Sequence, residues 1–312
     1  MATELKTGVI GTGKLGTLHT RVYSGIPHIK LAAVCDTDIN KAAAVAQQFG
    51  TRALADYKSL IPLVDMVSIA TPTNTHFEIA RYAILNNKHV LIEKPITDNL
   101  RQARILIRLA KRKKVILQVG HVERFNSAFL ATQKLAANPR FIECHRLSPF
   151  PNRSLDIGVV FDLMIHDIDI VLGLVRSRLQ RIDAVGVSVL TPFEDIANVR
   201  LNFANGCTVN LTASRISDEP LRKIRIFLKD TYISLDYQAQ EAFCYKKEKT
   251  SIIKTPIPIE KEEPIKKEIE SFCLCVRNNR RPVVSGIEAY EALKLATKIR
   301  DMIHRKNFGG FR

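Results

Sequence analysis

Gly11-Thr12-Gly13-Lys14-Leu15-Gly16 stands directly behind the apolar run Thr7-Gly8-Val9-Ile10 and ahead of a helical pattern, an order that admits few folds. The three glycines have separate duties in such a turn. Gly11 permits the sharp reversal from strand to helix, Gly13 lets backbone N–H groups approach a pyrophosphate, and Gly16 lets the helix pack closely on the sheet. The start of the helix then faces the phosphates with the positive end of its dipole. A second apolar run, Ile29-Lys30-Leu31-Ala32-Ala33-Val34-Cys35, ends in Asp36. This places a carboxylate about 20 residues beyond the last glycine, where it can accept both ribose hydroxyls of an adenosine. Asp38 adds a second negative charge that repels a 2′-phosphate, so the pattern predicts NAD over NADP.

From Lys6 to about Gly120, short apolar runs alternate with helical patterns. Strands are predicted near 6–10, 29–35, 65–70, 89–92 and 115–119, with helices opening near Lys14, Asp38, Asn74 and Thr97. Such alternation gives an α/β fold, a doubly wound parallel Rossmann sheet whose ligands lie at the carboxyl ends of the strands, where Gly11, Asp36, Thr71 and Lys94 fall. Beyond residue 120 the texture changes. Helices near 123–135 and 162–174 precede alternating runs at 182–190, 195–203, 206–215, 222–228 and 231–236, which read as a mostly antiparallel open sheet in an α+β domain. Ala204-Asn205-Gly206 is a hairpin signal between two of these runs. Residues 246–267 read as an exposed edge or linker, and helices near 264–278 and 286–305 close the chain. A length of 312 residues exceeds one ordinary core, and we place the domains at 1–121 and 122–312.

The formal net charge of +16 is the unusual bulk property. Its densest run, Arg101, Arg104, Arg108, Lys111, Arg112, Lys113 and Lys114, has helical spacing. Interleaved aromatics and nucleic-acid motifs are missing from it, so it reads as a solvated face, with neither nucleic acid nor membrane as partner. No window approaches the roughly 18 uninterrupted apolar residues of a membrane span, and the first strand begins too early for a signal peptide, which predicts a cytoplasmic protein. The six cysteines lack zinc-type spacing and read as reduced packing residues. Cys273 and Cys275, two apart on a predicted helix, should not pair.

Two groups of residues offer chemistry. Glu93-Lys94-Pro95 delivers Lys94 to the same sheet edge as the glycine turn, where a cation can hydrogen-bond a reacting hydroxyl. In Asp162-Leu163-Met164-Ile165-His166-Asp167-Ile168-Asp169, helical spacing puts Asp162, His166 and Asp169 on one face. A carboxylate beside an imidazole suits a general base that takes a proton from an alcohol, although a buried, satisfied histidine fits the same spacing. No further ligand cluster accompanies these residues, so no metal is expected.

Taken together, the glycine turn, Ala70-Thr71-Pro72 ahead of His76, Glu93-Lys94-Pro95 and the Asp162–His166 pair resemble the Gfo/Idh/MocA oxidoreductases over essentially the whole chain. That resemblance implies NAD(P)-linked oxidation of a sugar-ring or cyclitol hydroxyl. It implies Lys94, Asp162 and His166 as the catalytic group, with His166 as base. It implies a cofactor-binding set of Gly11, Thr12, Gly13, Lys14, Leu15, Gly16, Asp36, Thr71, Pro72, Asn74, His76, Glu93 and Lys94, and a homodimer or homotetramer. One departure is visible. Relatives often carry a glycine run ahead of the Asp, and here only Gly158 stands in Ile157-Gly158-Val159-Val160.

Gly120-His121-Val122-Glu123-Arg124-Phe125-Asn126 and the stretch from Pro149 to Val160 resemble, within that family, the UDP-N-acetylglucosamine 3-dehydrogenases. The implied product is a 3-keto nucleotide sugar, used by an aminotransferase for the amino sugars of lipid A-type glycolipids. Arg124, Arg153 and Arg215 are the cations available to a diphosphate, with Lys94, Asp162 and His166 completing the substrate set. Inositol, a free sugar or a UDP-hexosaminuronic acid are alternative substrates. A non-catalytic NAD-sensing protein is the alternative in another class.

Overall fold

The computed structural model describes residues 4–150, 157–249 and 251–308, which divide into two compact units. The first unit holds residues up to Val122 together with Glu263–Tyr290. It begins β1 (Leu5–Ile10), α1 (Lys14–Ser24), β2 (Ile29–Cys35), α2 (Ile39–Phe49), β3 (Arg52–Leu54), α3 (Tyr57–Leu60), β4 (Met66–Ile69), α4 (Thr73–Leu85), β5 (His89–Glu93), α5 (Leu100–Lys113) and β6 (Leu117–Gly120). All its strand pairs are parallel, in the order β3-β2-β1-β4-β5-β6. Strand order therefore reverses at β1, opening a crevice at the carboxyl ends of β1 and β4. Helix starts follow local chemistry. Asp38 accepts the amides of Asn40 and Lys41 to cap α2, and Asn99 accepts that of Gln102 to cap α5. The predicted strands and helices are present, and β3, only three residues long, is additional.

The second unit holds Glu123–Glu262 and the chain from Glu291 onward. Where one helix over 123–135 was expected, a 3₁₀ turn over Val122–Phe125 leads to α6 (Ser127–Gln133), because Asn126 caps a fresh start by accepting the amide of Ala128. Then come β7 (Phe141–Leu147), a π-helical turn over Val160–Met164, α7 (Ile165–Val175), β8 (Leu179–Val187), β9 (Ile196–Phe203), β10 (Thr208–Ser214), β11 (Leu221–Phe227), β12 (Thr231–Asp236), β13 (Glu241–Glu248) and β14 (Ser251–Pro256). The sheet order is β14-β13-β12-β11-β7-β10-β9-β8, and every pair except β7 with β10 is antiparallel. Gly206, at φ +85°, closes the β9–β10 hairpin. Alternate residues such as Val199, Leu201, Val209, Leu211, Ile224 and Ile226 pack with Ile165, Ile168 and Val171 of α7. The stretch expected as an exposed edge contains β14, exposed along its whole length. β7, central in this sheet, was not legible as a strand. Its inward positions are Ile142, Cys144 and Arg146, and a buried arginine breaks the apolar alternation that marks a strand.

The chain next forms α8 (Pro264–Asn278), and α9 (Gly286–Phe308) passes from the first unit to the second after Tyr290. The chain first passes between the units at Val122/Glu123, and α8 groups with the first unit. Its Ile269, Phe272, Cys273 and Val276 share a core with Val22, Tyr23, Val34 and Met66. Beside it, Val119 donates its amide to the Val284 carbonyl at 3.0 Å, so the returning segment covers the edge strand β6. All six cysteines are free thiols. Among the described residues, no helix is long and apolar enough to cross a membrane.

Candidate functional site

In the first unit, the glycine turn answers to sterics at two positions and to none at the third. Gly11 has φ +93°, and a Cβ on it would lie 2.5 Å from the Ala70 carbonyl oxygen. A Cβ on Gly16 would lie 1.7 Å from the Gly11 carbonyl oxygen. Around Gly13 a Cβ would meet nothing within 4 Å. The protein itself therefore does not demand glycine at 13. A bare backbone there suits a diphosphate lying against the first-turn N–H groups of α1, whose N-cap, Gly13, offers no side chain to cap them. Lys14 and Leu15 are exposed beside it, while Thr12 is buried.

Asp36, just past β2, accepts the Thr12 amide at 2.8 Å and the Thr12 hydroxyl at 2.9 Å on one oxygen, and the Asp38 amide at 3.0 Å on the other. Burial alone would raise its carboxyl, but these hydrogen bonds outweigh it and hold the group below the usual carboxylate range. An ionised carboxylate with lone pairs to spare fits the vicinal hydroxyls of an adenosine ribose. Asp38, expected to repel a 2′-phosphate, is also spent as the α2 cap and lies 3.4 Å from the Lys41 ammonium.

The loop after β4 carries Thr71 and Pro72, and Asn74 stands in the first turn of α4; Pro72 and Asn74 are exposed. His76 is buried, with Nδ1 2.9 Å from the Pro95 carbonyl oxygen and Nε2 2.9 Å from that of Thr71. Burial lowers its pKa, against the carbonyl contacts and the Glu93 charge, which raise it. Its ring lies between the β4 loop and the Lys94-Pro95 segment. Glu93 is likewise buried. Its Oε1 lies 3.0 Å from His19 Nε2, and its Oε2 accepts the Lys94 amide at 3.3 Å. Burial opposes its charge, yet the His19 contact and the Lys94 charge hold the carboxyl low. Lys94 itself is half-buried.

In the second unit, the segment with Asp162 and His166 is not one regular helix. Asp162 falls in the π-helical turn and His166 in the first turn of α7. The wider π turn breaks the helical period that had put Asp162, His166 and Asp169 on one face. Asp162 and His166 are partly exposed, whereas Asp167 and Asp169 are buried. The two buried carboxylates hold internal arginines. Arg146 makes paired 2.9 Å bonds to Asp167 and a 2.8 Å bond to Glu123. Arg124 donates to Asp169 at 2.6 and 3.0 Å and to the Asp169 carbonyl at 2.6 Å.

Arg124, expected on the substrate diphosphate, lies buried against Asp169. A Cβ on Gly173 would lie 2.1 Å from its guanidinium, so that glycine makes room for it. Arg215 is fully buried, donating to Asp195 at 2.8 Å, to the Ile157 carbonyl at 2.8 Å and to Thr191 Oγ1 at 2.7 Å. Arg153 lies outside the described residues. Glu194 was missed in sequence. It accepts the Val160 amide at 3.4 Å at the start of the π turn, and a Cβ on Gly158 would lie 1.9 Å from its carboxylate. The single glycine of the departed pattern is therefore the one this contact requires.

A family model described as the oxidoreductase family, NAD-binding Rossmann fold, matches residues 5–121, and one described as the GFO/IDH/MocA C-terminal domain matches residues 118–233. UDP-N-acetylglucosamine 3-dehydrogenase of Acidithiobacillus ferrooxidans is 36% identical over 304 residues, which are 95% of this chain and 96% of that protein. Its solved structure matches with a TM-score of 0.92 over 96% of this chain and 97% of that one. The scyllo-inositol 2-dehydrogenase (NAD(+)) of Bacillus subtilis strain 168 is 27% identical over 93% of this chain and 91% of that protein.

Proposed function

The chain belongs to the Gfo/Idh/MocA family of oxidoreductases, and on that premise we propose that it oxidises the 3-hydroxyl of UDP-N-acetylglucosamine with NAD. The observation that carries this reading is the 36% identity to a UDP-N-acetylglucosamine 3-dehydrogenase across nearly the whole of both chains, against 27% for the inositol enzyme. Because a fold hosts many chemistries, the substrate is argued from that likeness together with the residues at the site.

The glycine turn and Asp36 bind NAD, with Thr71, Pro72, Asn74, His76, Glu93 and Lys94 forming the rest of its setting. When bound, NAD supplies the hydride acceptor. His166 takes the proton of the 3-hydroxyl, while Lys94 and Asp162 orient that hydroxyl and steady its developing negative charge. The C3–H bond breaks as hydride leaves, the O–H pair becomes the second bond of the carbonyl, and a 3-keto nucleotide sugar results. A downstream aminotransferase is the fitting consumer of that ketone. We further assign a cytoplasmic location and a homodimer or homotetramer. The test is a panel of nucleotide sugars, free sugars and inositols offered with NAD, reading reduced-cofactor absorbance. Turnover of UDP-N-acetylglucosamine with a 3-keto product is expected, and turnover confined to inositols would overturn the assignment.

A further inference from the structure

Three side chains from distant parts of the sequence meet inside the first unit: His19 of α1, Glu93 at the end of β5 and Glu268 of α8. Each offers one ligand atom, and these atoms all lie within 4.8 Å of one another. All three residues are buried, His19 and Glu268 completely. Glu93 has partners in His19 and the Lys94 amide. Glu268 is different. Among the described residues neither of its carboxylate oxygens has a hydrogen-bond partner, although its backbone carbonyl accepts from Gln118. A buried carboxylate without a donor is among the costliest groups a protein can carry, and a second carboxylate beside it worsens the cost. Burial and the Glu93 charge accordingly push the Glu268 carboxyl well above its ordinary range. Positive charge is what this cluster lacks.

We propose that His19, Glu93 and Glu268 form a site for a divalent cation, with the imidazole nitrogen favouring Zn2+ over the all-oxygen preference of Mg2+ or Ca2+. Ligand atoms on one tetrahedral zinc with bonds near 2.0–2.1 Å sit about 3.3 Å apart; here His19 Nε2 stands 3.0 Å from Glu93 Oε1 and all three ligand atoms lie within 4.8 Å, so side-chain adjustment would bring them onto one ion. Two ionised carboxylates and a neutral imidazole balance a dication without leaving net charge in the core. The ion would fasten α8, which returns to this unit after Glu123–Glu262 have intervened, to α1 and to the end of β5. It is a tie within the fold and takes no part in hydride transfer.

Metal content of untagged wild-type protein, purified without chelator and measured by inductively coupled plasma mass spectrometry, tests the site. About one zinc per chain is expected, with dialysis against chelator lowering Tm and Zn2+ at about 100 times its Kd restoring about 5–10 °C. Glu268→Gln and His19→Gln should each hold no zinc and show no such restoration. Wild-type protein carrying only traces of zinc, with a Tm indifferent to added Zn2+, would overturn the proposal and leave a proton on Glu268 as the neutralising charge. Zinc retained by both variants would overturn it equally. Wild-type content decides the matter even where a variant does not fold.

Discussion

The two units present the groups we assign to ligand by opposite means. In the first, the glycine turn offers backbone: Gly11 and Gly16 are dictated by collisions with carbonyl oxygens, and Gly13 by nothing in the protein. In the second, Asp162 and His166 are side chains on a π turn and the helix after it, braced by buried arginines. A backbone site needs little support beyond close packing. A side-chain site on an irregular helix needs neighbours that pin it, and Arg146–Asp167, Arg124–Asp169 and Glu194 supply them. Arg124 and Arg215, two of the cations available to a diphosphate, are held there by Asp169 and Asp195.

The largest effect should come from the chemistry. His166→Ala is expected to lower kcat by about 10²–10⁴-fold with NAD affinity unchanged, because it removes a proton acceptor from the unit that does not carry the glycine turn. Lys94→Ala should lower kcat by at least about 10²-fold. Stopped-flow turnover alongside calorimetric NAD binding checks both, and wild-type turnover in either variant breaks the mechanism.

Next comes the bracing. Arg146→Met takes the cation from two buried carboxylates and should cost about 3–5 kcal/mol of stability, whereas Arg215→Met should cost about 1–3 kcal/mol, because Asp195 keeps three backbone amides and the Thr191 hydroxyl. Denaturant unfolding measures this, and losses below about 1 kcal/mol would mean that the arginines are not holding the second unit.

The glycines offer a finer contrast. Gly11→Ala, at φ +93°, should cost about 1–3 kcal/mol in folding. Gly13→Ala should leave stability within about 0.5 kcal/mol. It should nonetheless weaken NAD binding about tenfold or more, because the methyl group occupies the space of the phosphates. If Gly13→Ala unfolds the protein and spares NAD affinity, the reading of the turn is reversed.

A last test concerns Asp36. Its folded carboxyl is depressed, so the charge that grips the ribose persists as pH falls through the ordinary carboxylate range near pH 4, and is lost only lower. NAD affinity should stay flat down to that range wherever the fold survives. Asp36→Asn should cost about 1.5–3 kcal/mol of NAD binding and narrow the preference over NADP, as Kd values for the two cofactors would report.

The difference between the units also explains what could be read from sequence. The first unit's sheet, turn and acid were legible because each rests on local chemistry: a glycine, a cap, an apolar run ending in Asp36. Lys94, Asp162 and His166 stood out as residue types in a familiar order. Hidden were the pairings that join distant positions. Nothing local links Arg146 to Asp167 across 21 residues, Arg215 to Asp195, or Glu194 to Gly158. β7 was masked by the arginine at its inward face, and α8 by an amphipathic pattern that tells which face is buried and not against what. The π turn has no sequence signal of its own, so the shared face of Asp162, His166 and Asp169 was drawn too regularly.

The most direct test of the account is the product formed from UDP-N-acetylglucosamine and NAD, with a ketone-consuming aminotransferase added because the oxidation can be thermodynamically uphill. The account predicts reduced-cofactor absorbance in step with a 3-amino nucleotide sugar identified by mass spectrometry and NMR, both abolished in His166→Ala. Stoichiometric NADH from scyllo-inositol, with none from the nucleotide sugar, would contradict it.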